Sequence, residues 1–498
     1  LHVFGEALVS QLGGKMTKFI GREEELKILA TLLKKKSASL AVIRGRRRIG
    51  KSRLIEEFAK KNHFDNVYII SGIAPTEKTT DQSQRDEFAS QLSTQTGLPE
   101  IKADDWNKLF LLLAEKVKAL RTILVFDEIS WMGSKDPDFL GKLKNAWDLH
   151  FKKNSKLIFI LCGSVSIWIE KNILSNTGFL GRVSLDLILK ELPLSDCNKF
   201  WGTQAKHISS YEKLKILAIT GGVPLYLEHI DPTISAEENI SQLCLMPHGI
   251  LFNEFDKLFS DLFAKRFEKY RAIVQCLADH AASQDEICKC LKLQRSSDIA
   301  EYLDDLMKAG FISRDYTWHI KDSSFSKLSQ YRLSDNYARF YLKYILPNRE
   351  KIAHAQLKTF SINNLPNWST VIGFQFENLV LNNRWLLWKI LSIDPADIVC
   401  NNPYFQRTTS RFPGCQIDYM IQTKHNTLYI CEIKFSKNEL KMDVVHEVQK
   451  KIDNLALPKN FSYRPVLIHV NGVQETVIDC GFFAAIVDFG EFLNKNSM

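Results

Sequence analysis

A chain of 498 residues is too long for a single small binding module, and at roughly 100–200 residues per domain it predicts three or four folded units. Its 45% hydrophobic and 25% charged residues exclude disordered, collagen-like and mucin-like classes. Lysine plus arginine (66) exceed aspartate plus glutamate (57), and the net charge of +9 permits an anionic partner without requiring one.

The longest apolar runs, Thr122–Phe126 and Leu157–Leu161, are strand-sized and far below the roughly 20 residues that cross a bilayer, so no membrane segment is expected. Residues 1–15 lack the basic start and sustained apolar stretch of a secretory signal and are taken as an uninformative extension. The ten cysteines include no CxxC pair. They are read as reduced thiols of a cytoplasmic protein, without a zinc site.

In chain order, residues 16–195 alternate strand-sized apolar runs (Leu40–Arg44, Asn66–Ser71, Thr122–Asp127, Leu157–Gly163) with amphipathic stretches (Lys51–Lys61, Glu100–Leu120). That order predicts an α/β domain with a mostly parallel sheet. Residues 196–262 lose the strand signal and read as a helical appendage broken at Gly221-Gly222-Val223-Pro224. Across 263–345 come a helix, a cap at Ser283-Gln284-Asp285, a helix, a cap at Ser296-Ser297-Asp298, a helix stopped at Ala309-Gly310, and β-rich Phe311–Leu333. This predicts a winged helix. A polar linker, 346–366, precedes a second α/β domain, 367–498, with helices at Gly373–Ile390 and Val444–Leu457 and strands at Cys415–Gln422, Thr427–Lys434 and Arg464–His469. No repeat is visible.

Gly45-Arg46-Arg47-Arg48-Ile49-Gly50-Lys51-Ser52 satisfies GxxxxGK[ST] between an apolar strand and a helix, the context in which that motif binds phosphate. Loop N–H groups and the helix N-terminus would wrap the phosphates of ATP, Lys51 would reach the β/γ oxygens, and Ser52 would ligate Mg²⁺. Downstream, Asp127-Glu128 ends an apolar strand: Asp127 is the candidate to hold Mg²⁺ and Glu128 the candidate to polarise the attacking water. The three loop arginines could contact phosphate, an acidic neighbour or solvent.

With these motifs, Phe19-Ile20-Gly21-Arg22-Glu23, Leu161-Cys-Gly-Ser164, Phe179-Leu-Gly-Arg182 and Gly221-Gly-Val-Pro224, the chain resembles archaeal-type AAA+ ATPases of the STAND group, including those with a DUF234 C-terminal region. The resemblance implies that Ile20, Gly21 and Arg22 lie near the adenine. It makes Ser164 a sensor of the γ-phosphate, folds the turn at Pro224 over the nucleotide, and makes Arg182 a candidate to neutralise transition-state charge. Such ATPases can assemble as homo-oligomers on activation.

A winged helix ordinarily lays its third helix against DNA. Here Ser297–Ala309 carries Asp298, Glu301, Asp304 and Asp305 against Lys308, and acidic residues against phosphates are repulsive. A packing or protein-contact role is favoured. Tyr331, Tyr337 and Tyr341 read as core and not as a base-stacking platform.

In the last domain Asp418 ends Gln416-Ile-Asp, and Glu432-Ile433-Lys434 follows on the next strand. Alternation sets Glu432 and Lys434 on one face, with Asp418 within reach across a hairpin. Two carboxylates and an ammonium in a half-buried strand pair call for Mg²⁺ or Mn²⁺. Lys434 would orient water or offset developing charge. The arrangement resembles the PD-(D/E)xK nucleases, which implies Glu377 as a further metal ligand and Gln449 as a polar helix position. The other possibility is a surface hairpin whose Glu432 and Lys434 merely pair.

The combined expectation is an α/β chain: a P-loop parallel sheet with helical lid, a winged helix, and a restriction-endonuclease-like domain. An ATPase would control a metal-dependent nuclease acting on DNA or RNA. The alternative is an NTP-driven switch whose C-terminal domain is an inactive nuclease fold that binds a partner or nucleic acid.

Overall fold

The computed structural model describes residues 18–99, 101–164, 166–263, 266–295, 297–356, 362–410 and 412–494. The extension at 1–15, Ser296 of the second cap, and 357–361 of the linker lie outside them. The chain forms two compact units, one ending at Glu191 and the other beginning at Leu192. Among the described residues no helix is long and apolar enough to cross a membrane.

The first unit is a five-stranded sheet in the order β2-β3-β4-β1-β5, with β1 at Ser39–Arg44, β2 at Asn66–Ser71, β3 at Thr122–Asp127, β4 at Ile158–Gly163 and β5 at Val183–Ile188. All four pairings are parallel. Helix α1 (Glu23–Ala30) precedes β1, α2 (Lys51–Asn62) follows it, and α3 (Asp81–Thr96), α4 (Trp106–Lys116) and α5 (Phe139–Leu149) come later. Period-two alternation sends the strand side chains to two cores. Leu40, Val42, Leu124, Phe126, Phe159 and Leu161 pack with Phe88, Phe110 and Trp106 of α3 and α4. Ala41, Ile43, Val125 and Ile160 pack with Leu54, Ile55 and Phe58 of α2 and Leu29 of α1. The sequence did not predict the edge strand β5, helix α5, or α3, whose polar sequence buries Phe88, Ala89 and Leu92.

The second unit begins with helices, among them α6 (Ser210–Thr220) and α7 (Ala236–Cys244). Next come α8 (Phe267–Cys276), α9 (Gln284–Cys290) and α10 (Ser297–Lys308), then an antiparallel hairpin of β6 (Ile312–Trp318) and β7 (Phe325–Leu333). After α11 (Trp368–Asn382) comes a five-stranded sheet ordered β12-β11-β10-β9-β8. Its strands are β8 (Ile398–Gln406), β9 (Cys415–Thr423), β10 (Thr427–Ile433), β11 (Ser462–His469) and β12 (Ala485–Asp488), with α12 (Asp443–Asn454) between β10 and β11. Strands β8, β9 and β10 pair antiparallel, and β10, β11 and β12 pair parallel.

The appendage is hydrogen-bonded to the last domain, and the hairpin shares an interior with its sheet. Leu194 N donates to Asn383 Oδ1 (3.1 Å) and Asn198 Nδ2 to the Leu493 carbonyl (3.0 Å). Trp318 and Ile320 of the hairpin segment join the core of Ile417, Leu428, Ile430 and Val448, and Trp318 Nε1 donates to Gln422 Oε1 at 2.6 Å. Tyr331, Tyr337 and Tyr341 are buried.

The reading of every cysteine as a reduced thiol is corrected here. Cys276 and Cys290, 14 positions apart, are disulfide-bonded, with Cα atoms 6.3 Å apart. The turn joining α8 to α9 returns the end of one helix to the end of the other, a proximity that sequence spacing alone does not encode.

Candidate functional site

The phosphate loop opens where β1 ends. A Cβ on Gly45 would stand 2.5 Å from the Leu189 carbonyl oxygen, so only glycine lets the loop pass there. Arg48 (φ 71°) and Gly50 (φ 86°) take left-handed backbone, turning the chain into α2 with its N-terminal N–H groups facing the loop. Lys51 is buried, and its Nζ donates to the carbonyl oxygens of Gly45 (3.0 Å) and Arg46 (3.3 Å).

From there a chain of contacts crosses the sheet ends. Ser52 Oγ donates to Asp127 Oδ2 (3.1 Å), and Asp127 Oδ1 accepts from Glu128 N (3.0 Å). Glu128 Oε2 accepts from both N (3.1 Å) and Oγ (2.9 Å) of Ser164. Strand order makes this possible. Because β4 lies between β1 and β3, Ser164, one residue past its end, faces the acid-bearing end of β3. Glu128 itself adopts left-handed backbone (φ 48°), a conformation unfavourable for a non-glycine residue that aims its carboxylate back at Ser164. The donor set suits a triphosphate and its magnesium: an ammonium inside the loop, a hydroxyl with a carboxylate for a hard cation, and a second carboxylate alongside.

The other residues singled out by sequence fall around this chain. Gly21 (φ 73°) and Arg22 (φ 62°) form a left-handed turn ahead of α1. The Arg22 guanidinium, buried, donates to the carbonyl oxygens of Ile49 (3.0 Å) and Lys190 (2.7 Å) and to Glu25 Oε1 (2.8 Å). It therefore clamps the phosphate loop, a role that the sequence did not suggest. Arg46 Nη1 lies 3.6 Å from Glu191 Oε1, and the Arg47 guanidinium sits 5.7 Å from the Trp131 ring centroid. Arg182 stands apart from the chain of contacts: its guanidinium makes three hydrogen bonds to Asp148 (2.8–3.2 Å). With Lys144 and Lys152 assisting, it holds the Asp148 carboxyl well below the usual carboxylate range. Pro224 opens the short helix Pro224–Leu227 in the second unit, and the Gly222 carbonyl ahead of it accepts from Leu192 N at 2.8 Å.

The second constellation lies where β9, β10 and α12 meet. Asp418 is one residue beyond the last paired position of β9 with β10, and its Oδ2 accepts from Ile433 N at 2.9 Å. Glu432 is buried on β10. Facing them, Glu447 and Lys451 occupy one side of α12, four residues apart, and two ion pairs result: Lys451 Nζ to Glu432 Oε2 (2.5 Å) and Lys434 Nζ to Glu447 Oε2 (2.5 Å). Lys451 Nζ also reaches Asp418 Oδ1 at 3.5 Å. Lys434 is thus drawn toward α12, and Lys451, absent from the sequence-based site, stands between the two carboxylates. Gln449, two positions earlier and so turned about 200° around the helix, donates to Asp453 instead (2.7 Å).

Glu377, on α11, lies within electrostatic reach of this pair. Burial, and then the Asp418 charge, push its carboxyl up, while Arg332 of β7 pulls it down. Burial and Asp418 likewise push Glu432 up against the opposing pull of Lys451. Burial lowers Lys451, but Asp418 and Glu432 outweigh it and lift the ammonium to about 12. Among the described residues no three His, Cys, Asp or Glu side chains stand together as a metal-holding group. The expected Glu377, Asp418 and Glu432 triad is accordingly corrected to a pair, Asp418 and Glu432, whose oxygens converge on one cation position. Their hard oxygens suit Mg²⁺ or Mn²⁺, and in the chain as it stands the cation there is Lys451.

Residues 19–230 match the family described as an ATPase domain predominantly from Archaea. The chain is 26% identical over 362 residues to an uncharacterized protein of Methanocaldococcus jannaschii, covering 72% of this chain and 76% of that protein. Among solved structures, a Walker-type ATPase of Pyrococcus abyssi aligns with 17% identity and a TM-score of 0.48 over 65% of this chain and 96% of the other. The Aeropyrum pernix ORC2 protein aligns with 14% identity and a TM-score of 0.41 over 69% and 98%. With its phosphate loop, its acidic strand end and this family match, the protein carries an archaeal-type ATPase domain and is a P-loop NTP hydrolase.

Proposed function

We propose that ATP binding and hydrolysis in the first unit control a divalent-metal-dependent, nuclease-like site of the second unit that acts on DNA or RNA. The observation that carries this reading is the convergence of Asp418 and Glu432 on one cation position beside Lys434 and Lys451. Like carboxylates gather in a buried place only where a cation offsets them. In this reading Lys51, Ser52 and Asp127 bind MgATP, and Glu128 orients water with Ser164 holding its carboxylate. Asp418 and Glu432 hold Mg²⁺ or Mn²⁺, whose chemistry is to polarise a phosphodiester and water. Glu377 stands near Asp418 as a buried carboxyl whose charged form Asp418 disfavours, and Lys434 offsets developing charge. The segment 263–345 acts as a winged helix in packing, because Trp318 and Ile320 are core residues of the C-terminal sheet.

The deciding experiment is cleavage of single- and double-stranded DNA and RNA by the purified protein in Mg²⁺ or Mn²⁺, with and without ATP. Cleavage that changes with nucleotide and disappears in Glu432→Ala supports the reading; no cleavage under any condition overturns it. Arg182 keeps its proposed part in neutralising developing charge, within its own copy or in a neighbouring one of a homo-oligomer. An Arg182→Ala loss of roughly 10³ in turnover with nucleotide affinity retained supports that part, whereas unchanged turnover assigns the arginine to Asp148 alone.

One observation favours the second reading, a switch whose C-terminal domain binds without cleaving: Lys451 already satisfies both carboxylates. Salt-sensitive nucleic-acid binding without product would establish it.

A further inference from the structure

Two charged pairs join β10 to α12, and they differ in kind. Lys434 and Glu447 are substantially exposed, with side chains 36% and 50% accessible, whereas Glu432 is only 6% accessible and Lys451 28%. An exposed pair contributes little. The Glu432 pair is another matter, since a buried carboxylate left without its partner is costly. Lys451 meets Glu432 Oε2 at 2.5 Å and Asp418 Oδ1 at 3.5 Å, so one ammonium serves both acids.

The arrangement follows from the sequence. Glu432 and Lys434 project from the same face of the strand, two residues apart, and Glu447 and Lys451 from the same side of the helix, four residues apart. The glutamate of each element meets the lysine of the other. Lys451 carries a compact point charge on a flexible four-carbon stem, so it can leave the carboxylates without moving α12, whose Val444, Val445, Val448 and Ile452 are buried. A divalent ion and the ammonium cannot share the position between Asp418 and Glu432: the two cations would repel, and the same oxygens would have to serve both.

We propose that Lys451 is the resident counter-ion of the carboxylate site, so that a divalent cation enters between Asp418 and Glu432 only by displacing the Lys451 ammonium. This deepens the nuclease-like reading and rests on its choice of Asp418 and Glu432 as ligands. Lys451 is here a positioning residue: it keeps the acids converged while the site is closed and yields the place when the site is used. The exchange makes the metal affinity of the second unit weak by design and sensitive to anything that draws the lysine away, a nucleic-acid phosphate included.

The test is Mn²⁺ binding by the full chain, followed by electron paramagnetic resonance of free Mn²⁺ and by the thermal shift that Mn²⁺ produces, in wild type, Lys451→Met and Lys451→Arg. Nucleotide is omitted, and Ser52→Ala is present throughout to silence the phosphate-loop magnesium site. Lys451→Met should bind Mn²⁺ at least tenfold more tightly than the Ser52→Ala parent and gain a larger thermal shift, and Lys451→Arg should stay close to the parent. Adding Asp418→Asn to Lys451→Met should remove the gain.

Unchanged or weaker Mn²⁺ binding in Lys451→Met overturns the proposal. If Lys451→Met fails to fold without metal, recovery of its folded circular dichroism signal by Mn²⁺ counts as the gain, and no recovery counts against it. The two readings fail separately. Tighter binding in Lys451→Met with no nucleic-acid cleavage in either protein keeps the exchange and removes the nuclease. Cleavage by the chain with unaltered Mn²⁺ affinity in Lys451→Met keeps the nuclease and removes the exchange.

Discussion

The guanidinium of Arg22 donates to the carbonyl oxygen of Ile49 at 3.0 Å, so a residue ahead of the first helix holds the phosphate loop in place. The same guanidinium takes the Lys190 carbonyl at 2.7 Å. A charged donor on a buried carbonyl is worth about 1.5–3 kcal/mol, and Arg22→Ala should destabilise the first unit by on the order of 3 kcal/mol and weaken ATP binding. Arg22→Lys should restore little, because an ammonium cannot reproduce the planar fork. Urea unfolding followed by tryptophan fluorescence, with titration of a fluorescent ATP analogue, checks both.

Lys51→Ala should abolish nucleotide binding, since the loop then lacks its buried cation. Glu128→Gln should bind ATP and fail to turn it over. Ser164→Ala removes the two bonds that aim Glu128 only in part, because the Ser164 backbone N–H remains. It should lower kcat by roughly tenfold with KM little changed. Steady-state phosphate release gives all three; hydrolysis that survives Glu128→Gln removes Glu128 from its assigned role.

Asp148 sets a pH prediction for the first unit. Arg182, Lys144 and Lys152 depress its folded-state carboxyl pKa, so the stabilisation is complete above the unfolded value of about 3.9 and is lost as pH falls toward the folded one. Asp148→Asn should flatten the acid limb of stability below about pH 4 and leave stability at pH 7 reduced by the lost pairing. Thermal unfolding between pH 2.5 and 7 measures it.

Glu377 sets the opposite sign in the second unit. Burial and Asp418 raise its carboxyl, so its contribution is complete below the unfolded value of about 4.3 and declines as pH rises through the folded one. In chelator, Glu377→Gln should gain stability relative to wild type at pH 8 and show no gain at pH 5. Equal effects at both values would contradict the burial of that charge.

The Cys276–Cys290 bond closes a loop of 14 residues, for which chain entropy predicts about 3 kcal/mol of stabilisation. Cys276→Ser should destabilise the second unit by about that amount and lower its unfolding midpoint, and dithiothreitol should lower wild type to the level of the variant. A reductant-insensitive midpoint would mean that the bond contributes nothing.

What the sequence made legible was what local pattern encodes. Strands β1, β3 and β4 are near-continuous apolar runs because both faces are buried, and the phosphate motif falls at a strand-to-helix turn able to use it. Two of the strands that the sequence did not reveal, β5 and β8, lie where local chemistry points elsewhere. β5 carries Asp186, whose carboxylate pairs with Arg44 (2.9 Å) at the sheet edge, and β8 runs through Asn401, Asn402 and Pro403, a composition tolerated only on an edge strand. In the second site, the Glu-x-Lys spacing correctly set Glu432 and Lys434 on one face, but Lys451 entered through helix phase and tertiary packing. Gln449 drew attention by resemblance while its neighbour on the opposite side of α12 met the acids.

The indole of Trp318 gives its N–H to Gln422 inside the core of the C-terminal sheet. A hairpin that lends a tryptophan to the next domain's interior cannot be inherited, exchanged or cut away by itself. Chains severed between 346 and 366 should therefore expose apolar surface on both pieces, Trp318 and Ile320 on one and the C-terminal sheet on the other, so the hairpin and the sheet fold as one piece.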